Sequence, residues 1–178
     1  MSLIRRAVVL GGITVVAAFV GCGAATTNAP AKAVPGVELT EIAVAGLDQV
    51  IAEQKGKVVY VDVWFLGCPP CVENFPHVVE LHRKHAAAGL VVVTVDVNDK
   101  ELKKKEKVLD FLVKHEAQFP NYILTDDKRT IYDWQKRNGA EYTPGAVVFD
   151  RTGARVPIPD DAPNDEIEAV LKKLLATK

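Results

Sequence analysis

Cys68 and Cys71 stand three positions apart with Pro69 and Pro70 between them, where the β-prone run Lys57 to Phe65 gives way to a helical pattern. Two thiols at that spacing can close a disulfide and open it again. Exchange needs a thiolate. A helix N-terminus favours one, because its unpaired N–H groups and partial positive charge stabilise ionised sulfur. Cys68 comes first and is expected to be exposed, so it takes the attacking role. Cys71 follows about one turn later, is expected to be more buried, and can reach back to resolve a mixed disulfide. Pro70 suits the first helical turn, where a missing N–H is no loss, and Pro69 stiffens the loop. As a stability staple the pair is poor, because it closes almost no loop. A chemical role explains it better than a structural one.

The elements around the pair must hold it at a strand–helix junction. "KVVYVDVWF" is β-branched and aromatic on both alternating faces, as a buried central strand should be. From Cys71 to about Ala88 the pattern turns helical, with Phe75, Val78, Val79 and Leu81 apolar and Pro76 expected to kink it. "LVVVTVDV", Leu90 to Val97, is a second buried strand. A helix between two such strands implies a right-handed crossover and a parallel pair. Leu47, Val50 and Ile51 mark a short helix before Gly56. Lys100 to Glu116 is expected to be one helix with Leu102, Leu109, Leu112 and Val113 inside. Tyr122 to Leu124 forms a short strand. Lys128 to Asn138 is a helix stopped by Gly139. Ala146 to Phe149 and Arg155 to Ile158 make a hairpin, with Pro157 confining the second strand to an edge. Asn164 or Asp165 is expected to cap a final helix. The order is that of an α/β fold, a mixed central sheet with helices on both faces.

Composition sets the remaining bounds. Hydrophobic residues make up 48% of the 178, enough for a sizeable core, and the net charge of −1 offers no general attraction to nucleic acid. Lys100 to Lys107 is interrupted by Glu101, Leu102 and Glu106 and reads as a solvated helix face. At the start, Arg5 and Arg6 precede an apolar run from Ala7 to Val20 that ends at Gly21 and Cys22. That is the order of an export signal. Its end resembles a bacterial lipobox, which implies cleavage before Cys22 and lipid on its thiol. An uncleaved membrane anchor and a twin-Arg signal stay open as alternatives. The organisation is thus an export signal at 1–22, a flexible linker rich in Ala, Thr, Pro and Gly at 23–36, and one folded domain at 37–178.

Strand, C-x-P-C, helix with an internal proline, then a late Thr-Pro before a hairpin resembles the thioredoxin-like family. The similarity is greatest to its exported, membrane-tethered TlpA/ResA-like thiol–disulfide oxidoreductases. The resemblance implies a thioredoxin-like fold over Val37 to Lys178. It implies that Asp62, six residues before Cys68, is a buried acid that exchanges a proton with Cys71. It implies a cis peptide at Thr143-Pro144, with the Thr143 backbone free to pair with an extended substrate. Relatives place Trp directly before the first cysteine. Gly67 stands there, and the substrate-binding assignment passes to Trp64, further back. Asn74 stands where ResA-like reductases carry Glu, and Glu73 is one residue early. The implied activity is reduction of disulfides in exported proteins, with protein thiols as substrates and a membrane electron-donor protein as partner. No cofactor beyond the Cys68–Cys71 disulfide is implied, and no metal.

Readings of two other classes are kept. The cysteines with His77, His82 or His85 could carry copper or zinc, although one C-x-x-C is half a structural zinc site and the histidines suit a solvated face. A peroxiredoxin-like peroxidase wants a lone cysteine near Thr and Arg, whereas Gly67 and Pro69 flank Cys68.

Overall fold

The computed structural model describes residues 36–159 and 161–177. The export signal at 1–22, Cys22 and all of the linker before Gly36 lie outside the described residues.

Six strands form one sheet in the order β1-β4-β3-β2-β5-β6. They are β1 (Thr40–Ile42), β2 (Val58–Trp64), β3 (Leu90–Asp96), β4 (Asn121–Leu124), β5 (Gly145–Phe149) and β6 (Arg155–Val156). The first four are mutually parallel; β5 runs antiparallel to β2, and β6 antiparallel to β5. Helices α1 (Val44–Ala52) and α4 (Lys128–Asn138) cover one face. Helices α2 (Pro69–His85), α3 (Lys105–Lys114) and α5 (Asn164–Ala176) cover the other. This is the thioredoxin-like arrangement that the sequence implied.

β2 is buried along its whole length and divides two cores by its period of two. Val59, Val61 and Val63 join Leu47, Val93, Val95 and Trp134 on the α1/α4 side. Val58, Tyr60 and Trp64 join Cys71, Phe75, Val92 and Leu171 on the α2 side. The same parity places Asp62 on the α2 side.

Several boundaries differ from expectation. β1 was not foreseen, because its three residues sit at a mostly exposed sheet edge and carry no apolar run. The single helix expected over Lys100 to Glu116 is two pieces, a 3-10 turn at Glu101–Lys104 and then α3. Val108 and the expected Leu112 are its fully buried residues; Leu109 and Val113 pack partly buried against the same core, and Leu102 is half-buried outside the helix. β6 stops at Val156, because Pro157 has no N–H to continue the ladder. Pro163, not Asn164, is the N-cap of α5. Asn164 instead donates from Nδ2 to Asn74 Oδ1 at 2.6 Å. The histidines of α2 are half-buried rather than solvated: His85 pairs with Glu168 at 3.2 Å, and the His82 ring meets Phe119 edge-on at 5.2 Å.

α4 ends where Gly139 adopts φ 68° and ψ 37°. That left-handed conformation strains any residue with a Cβ. Gly139→Ala is expected to lower stability by about 1–2 kcal/mol, and a urea titration checks it. The new methyl would also meet Arg155 Nη1 at 2.7 Å, so that flexible guanidinium must shift. The Arg151 guanidinium ties the far end of the sheet by donating to the carbonyls of Gly56, Leu175 and Thr177 at 2.8, 3.2 and 3.0 Å.

Candidate active site

Cys68 is the N-cap residue of α2, with φ −102° and ψ 100°. Pro69 and Pro70 fill the first two helical positions and bring no N–H. The first amide the helix can offer is therefore that of Cys71, and it donates to Cys68 Sγ at 3.3 Å. A sulfur thus occupies the place that a capping Ser or Asp oxygen takes elsewhere. With the disulfide open, the same N–H and the helix dipole stabilise a thiolate on Cys68. In this structure the two sulfurs are bonded, with Cα atoms 5.3 Å apart.

Cys68 is 5% exposed and Cys71 2%. The order of exposure matches expectation, but Cys68 is far more buried than its place before a helix suggested. Bonding to Cys71 turns its sulfur inward, and Phe65 and Leu66 pack against the same cluster. Trp64 requires a correction. It lies in the core at 1% exposure, in a three-ring cluster with Phe75 at 4.9 Å and Phe111 at 5.2 Å, and so has no surface to offer a substrate. Parity on β2 turns it inward under α2, and its Nε1 meets no acceptor among the described residues.

Asp62 is 3% exposed, and burial pushes its carboxyl up to about 7. The Tyr60 hydroxyl, two residues back on the same face, donates to it and opposes part of that rise. Both residues line a cavity of about 390 Å³ with Asn74, Pro144, Gly145 and Ile167. A proton on Asp62 therefore has a way out past the Pro144 loop. Tyr60 was not picked out from the sequence, although its spacing from Asp62 on a strand was the available signal. Tyr60→Phe removes the donor, so the Asp62 titration is expected to move above 7. Carboxyl carbon NMR of the oxidised protein reads this directly, and an unmoved titration would show that the hydroxyl does not bond there.

The Thr143–Pro144 peptide is cis. β5 enters the sheet with Gly145 opposite Val63, which puts this peptide at the same end of the sheet as the loop that carries Cys68. Thr143 and Pro144 are half-buried there. A second carboxylate binds the loop itself. Glu101 accepts from the backbone N–H groups of Leu66 at 2.9 Å and Gly67 at 3.0 Å. This contact spans more than thirty residues of sequence, and nothing in the local pattern pointed to it. Among the described residues no three of His, Cys, Asp or Glu converge on a metal-sized site.

A model of the Redoxin family matches residues 29–158. The thiol-disulfide oxidoreductase ResA of Bacillus thuringiensis subsp. konkukian is 25% identical over 121 residues, which are 67% of this chain and 65% of that one. ResA of Halalkalibacterium halodurans is 30% identical over 83 residues, 47% of this chain and 44% of that one. The chain thus spans less than two thirds of the length of these curated relatives. A solved structure from Chlorobium tepidum, described as a thiol:disulfide interchange protein DsbE, aligns with a TM-score of 0.57 at 25% identity. The alignment covers 71% of this chain and 85% of that one.

Proposed function

This chain belongs to the Redoxin family, and from that premise we propose that it is a protein thiol–disulfide oxidoreductase that uses Cys68 and Cys71. The observation that carries the reading is the N-cap geometry, a disulfide whose first sulfur receives the Cys71 amide at 3.3 Å, with Asp62 buried on the face of β2 that α2 covers. In the reducing direction, the Cys68 thiolate attacks a substrate disulfide. One substrate sulfur leaves as a thiolate and takes a proton. Asp62, ionised, accepts the proton of Cys71. The Cys71 thiolate then attacks Cys68 Sγ, expels the second substrate sulfur and closes the chain's own disulfide. Two electrons pass from chain to substrate, and a dithiol donor must restore them. The relatives named ResA support this activity.

The substrates we propose are disulfides of extracytoplasmic proteins. They would be engaged by the Thr143 backbone, with a membrane protein supplying electrons. Residues 1–22 support export and Cys22 supports a lipid anchor, with the domain following the linker. Fatty-acid label that stays with the chain and is lost in Cys22→Ala would establish the anchor.

Insulin reduction by the purified chain with dithiothreitol, followed by equilibration with glutathione, tests the activity. Turnover that requires both cysteines is expected. Turnover unaffected by their loss sinks the reading. A stoichiometric metal that depends on Cys68 would favour the carrier reading instead.

A further inference from the structure

Asp96 ends β3, the strand beside β2, and is fully buried. Its Oδ1 accepts from Asn98 N at 2.8 Å. Its Oδ2 meets no N–H or O–H donor among the described residues. A buried carboxylate oxygen without a donor is costly. The cost disappears if Oδ2 carries a proton and donates it. The acceptor in reach is Glu101, whose Oε1 is bonded by Nδ2 of the same Asn98 that bonds Asp96 through its N–H, and burial together with the Glu101 carboxyl holds the Asp96 carboxyl well above the ordinary range. Glu101 then spends its other lone pairs on the chain just before Cys68. It takes Leu66 N at 2.9 Å, Gly67 N at 3.0 Å and Asn98 Nδ2 at 3.3 Å. Cys68 N closes the turn onto Phe65 O at 3.1 Å.

We propose that Asp96 and Glu101 share one proton and act together as the positioning group for Cys68, holding the Leu66–Gly67 turn from which that cysteine is presented. One proton on two carboxyls leaves one negative charge, and that charge lies on the backbone amides beside Cys68. The charged side chains facing Glu101 are Lys100, Lys104 and Lys107, which line the pocket it shares with Leu66 and Gly67. The significance of the clamp rests on the exchange function proposed above, but its existence does not. It also accounts for the break between the Glu101–Lys104 turn and α3, since Glu101 is held to the redox loop rather than aligned with the helix.

The test compares the oxidised full chain with its Asp96→Asn and Glu101→Gln variants. An Asn amide donates to Glu101 without an ionisable proton and leaves the pair's charge unchanged. Asp96→Asn is therefore expected to keep hydrogen exchange at Leu66 and Gly67, and the equilibrium with glutathione, within about twofold of the parent. Glu101→Gln removes the charge and the carboxylate acceptor. Exchange at the two amides is expected to rise about tenfold or more. The glutathione equilibrium is expected to move at least about threefold toward the reduced chain, because a negative charge near the Cys68 thiolate is gone. Carboxyl carbon NMR of the parent should find Asp96 still protonated at neutral pH. An ionised Asp96, unchanged amide exchange in Glu101→Gln, or equal disruption by both variants overturns the clamp. A parent chain that never equilibrates with glutathione sinks the exchange function, while the amide and carboxyl readings still decide the clamp.

Discussion

Cys68→Ser is expected to lower disulfide exchange by on the order of a thousandfold or more, to the uncatalysed rate. The hydroxyl that replaces the sulfur can still accept the Cys71 amide and cap α2, so the fold should survive. What is lost is a nucleophile that ionises near neutrality. Cys71→Ser should fail differently. Its Cys68 can attack, but nothing resolves the product, so a mixed disulfide with substrate accumulates and is seen as a mass increase under non-reducing conditions. Equal turnover by the two variants and the parent would remove the basis of the mechanism. Iodoacetamide alkylation of reduced Cys71→Ser across pH should place the Cys68 titration below that of free cysteine, about 8.5.

Asp62→Asn is expected to stabilise the oxidised protein at pH 8 by about 4 kcal/mol and to leave it nearly unchanged at pH 4. The sign follows from the carboxyl lying at about 7 in the fold against 3.8 when unfolded. Between those values the folded state holds a proton that the unfolded state has released. Stability therefore falls as pH rises through that window, and above it the full penalty for burying a carboxylate is in place. An amide at the same place never ionises and escapes it. Urea titrations at the two pH values measure the difference, and an equal gain at both would refute the buried-carboxylate account. The same variant should lengthen the life of the mixed disulfide by on the order of a hundredfold, because Cys71 has lost its base. The residue expected to weaken the fold at alkaline pH is the one proposed to move the proton.

The central strand, α2 and α4 were legible because each carries an unambiguous pattern. β2 is a run of buried β-formers, and α4 has both a cap and a stop, Asp127 and Gly139, at its observed ends. The cysteine pair was legible for the same reason, since its residue types and spacing are local. The cis peptide and the buried acid came through the family resemblance. What escaped the sequence was tertiary. β1 is strand only because β4 pairs with it. The first turn after β3 leaves the α3 helix because Glu101 finds two amides on another loop. Trp64 was placed on the wrong surface although the parity of β2, counted from Asp62, would have turned it inward. The deep position of Cys68 depends on a bond that a sequence does not display as made or open.

Consider the opposite side of the same strand. Val59, Val61 and Val63 alternate with Tyr60 and Asp62, touch α1 and α4, and offer no group that titrates or reacts. Seven residues of chain therefore act as a partition wall, with the buried ionisable pair Tyr60 and Asp62 on one side and inert ballast on the other. Repacking the valine side, through α1 and α4, is expected to tune the melting temperature while leaving the proposed exchange chemistry of the cysteine side little changed.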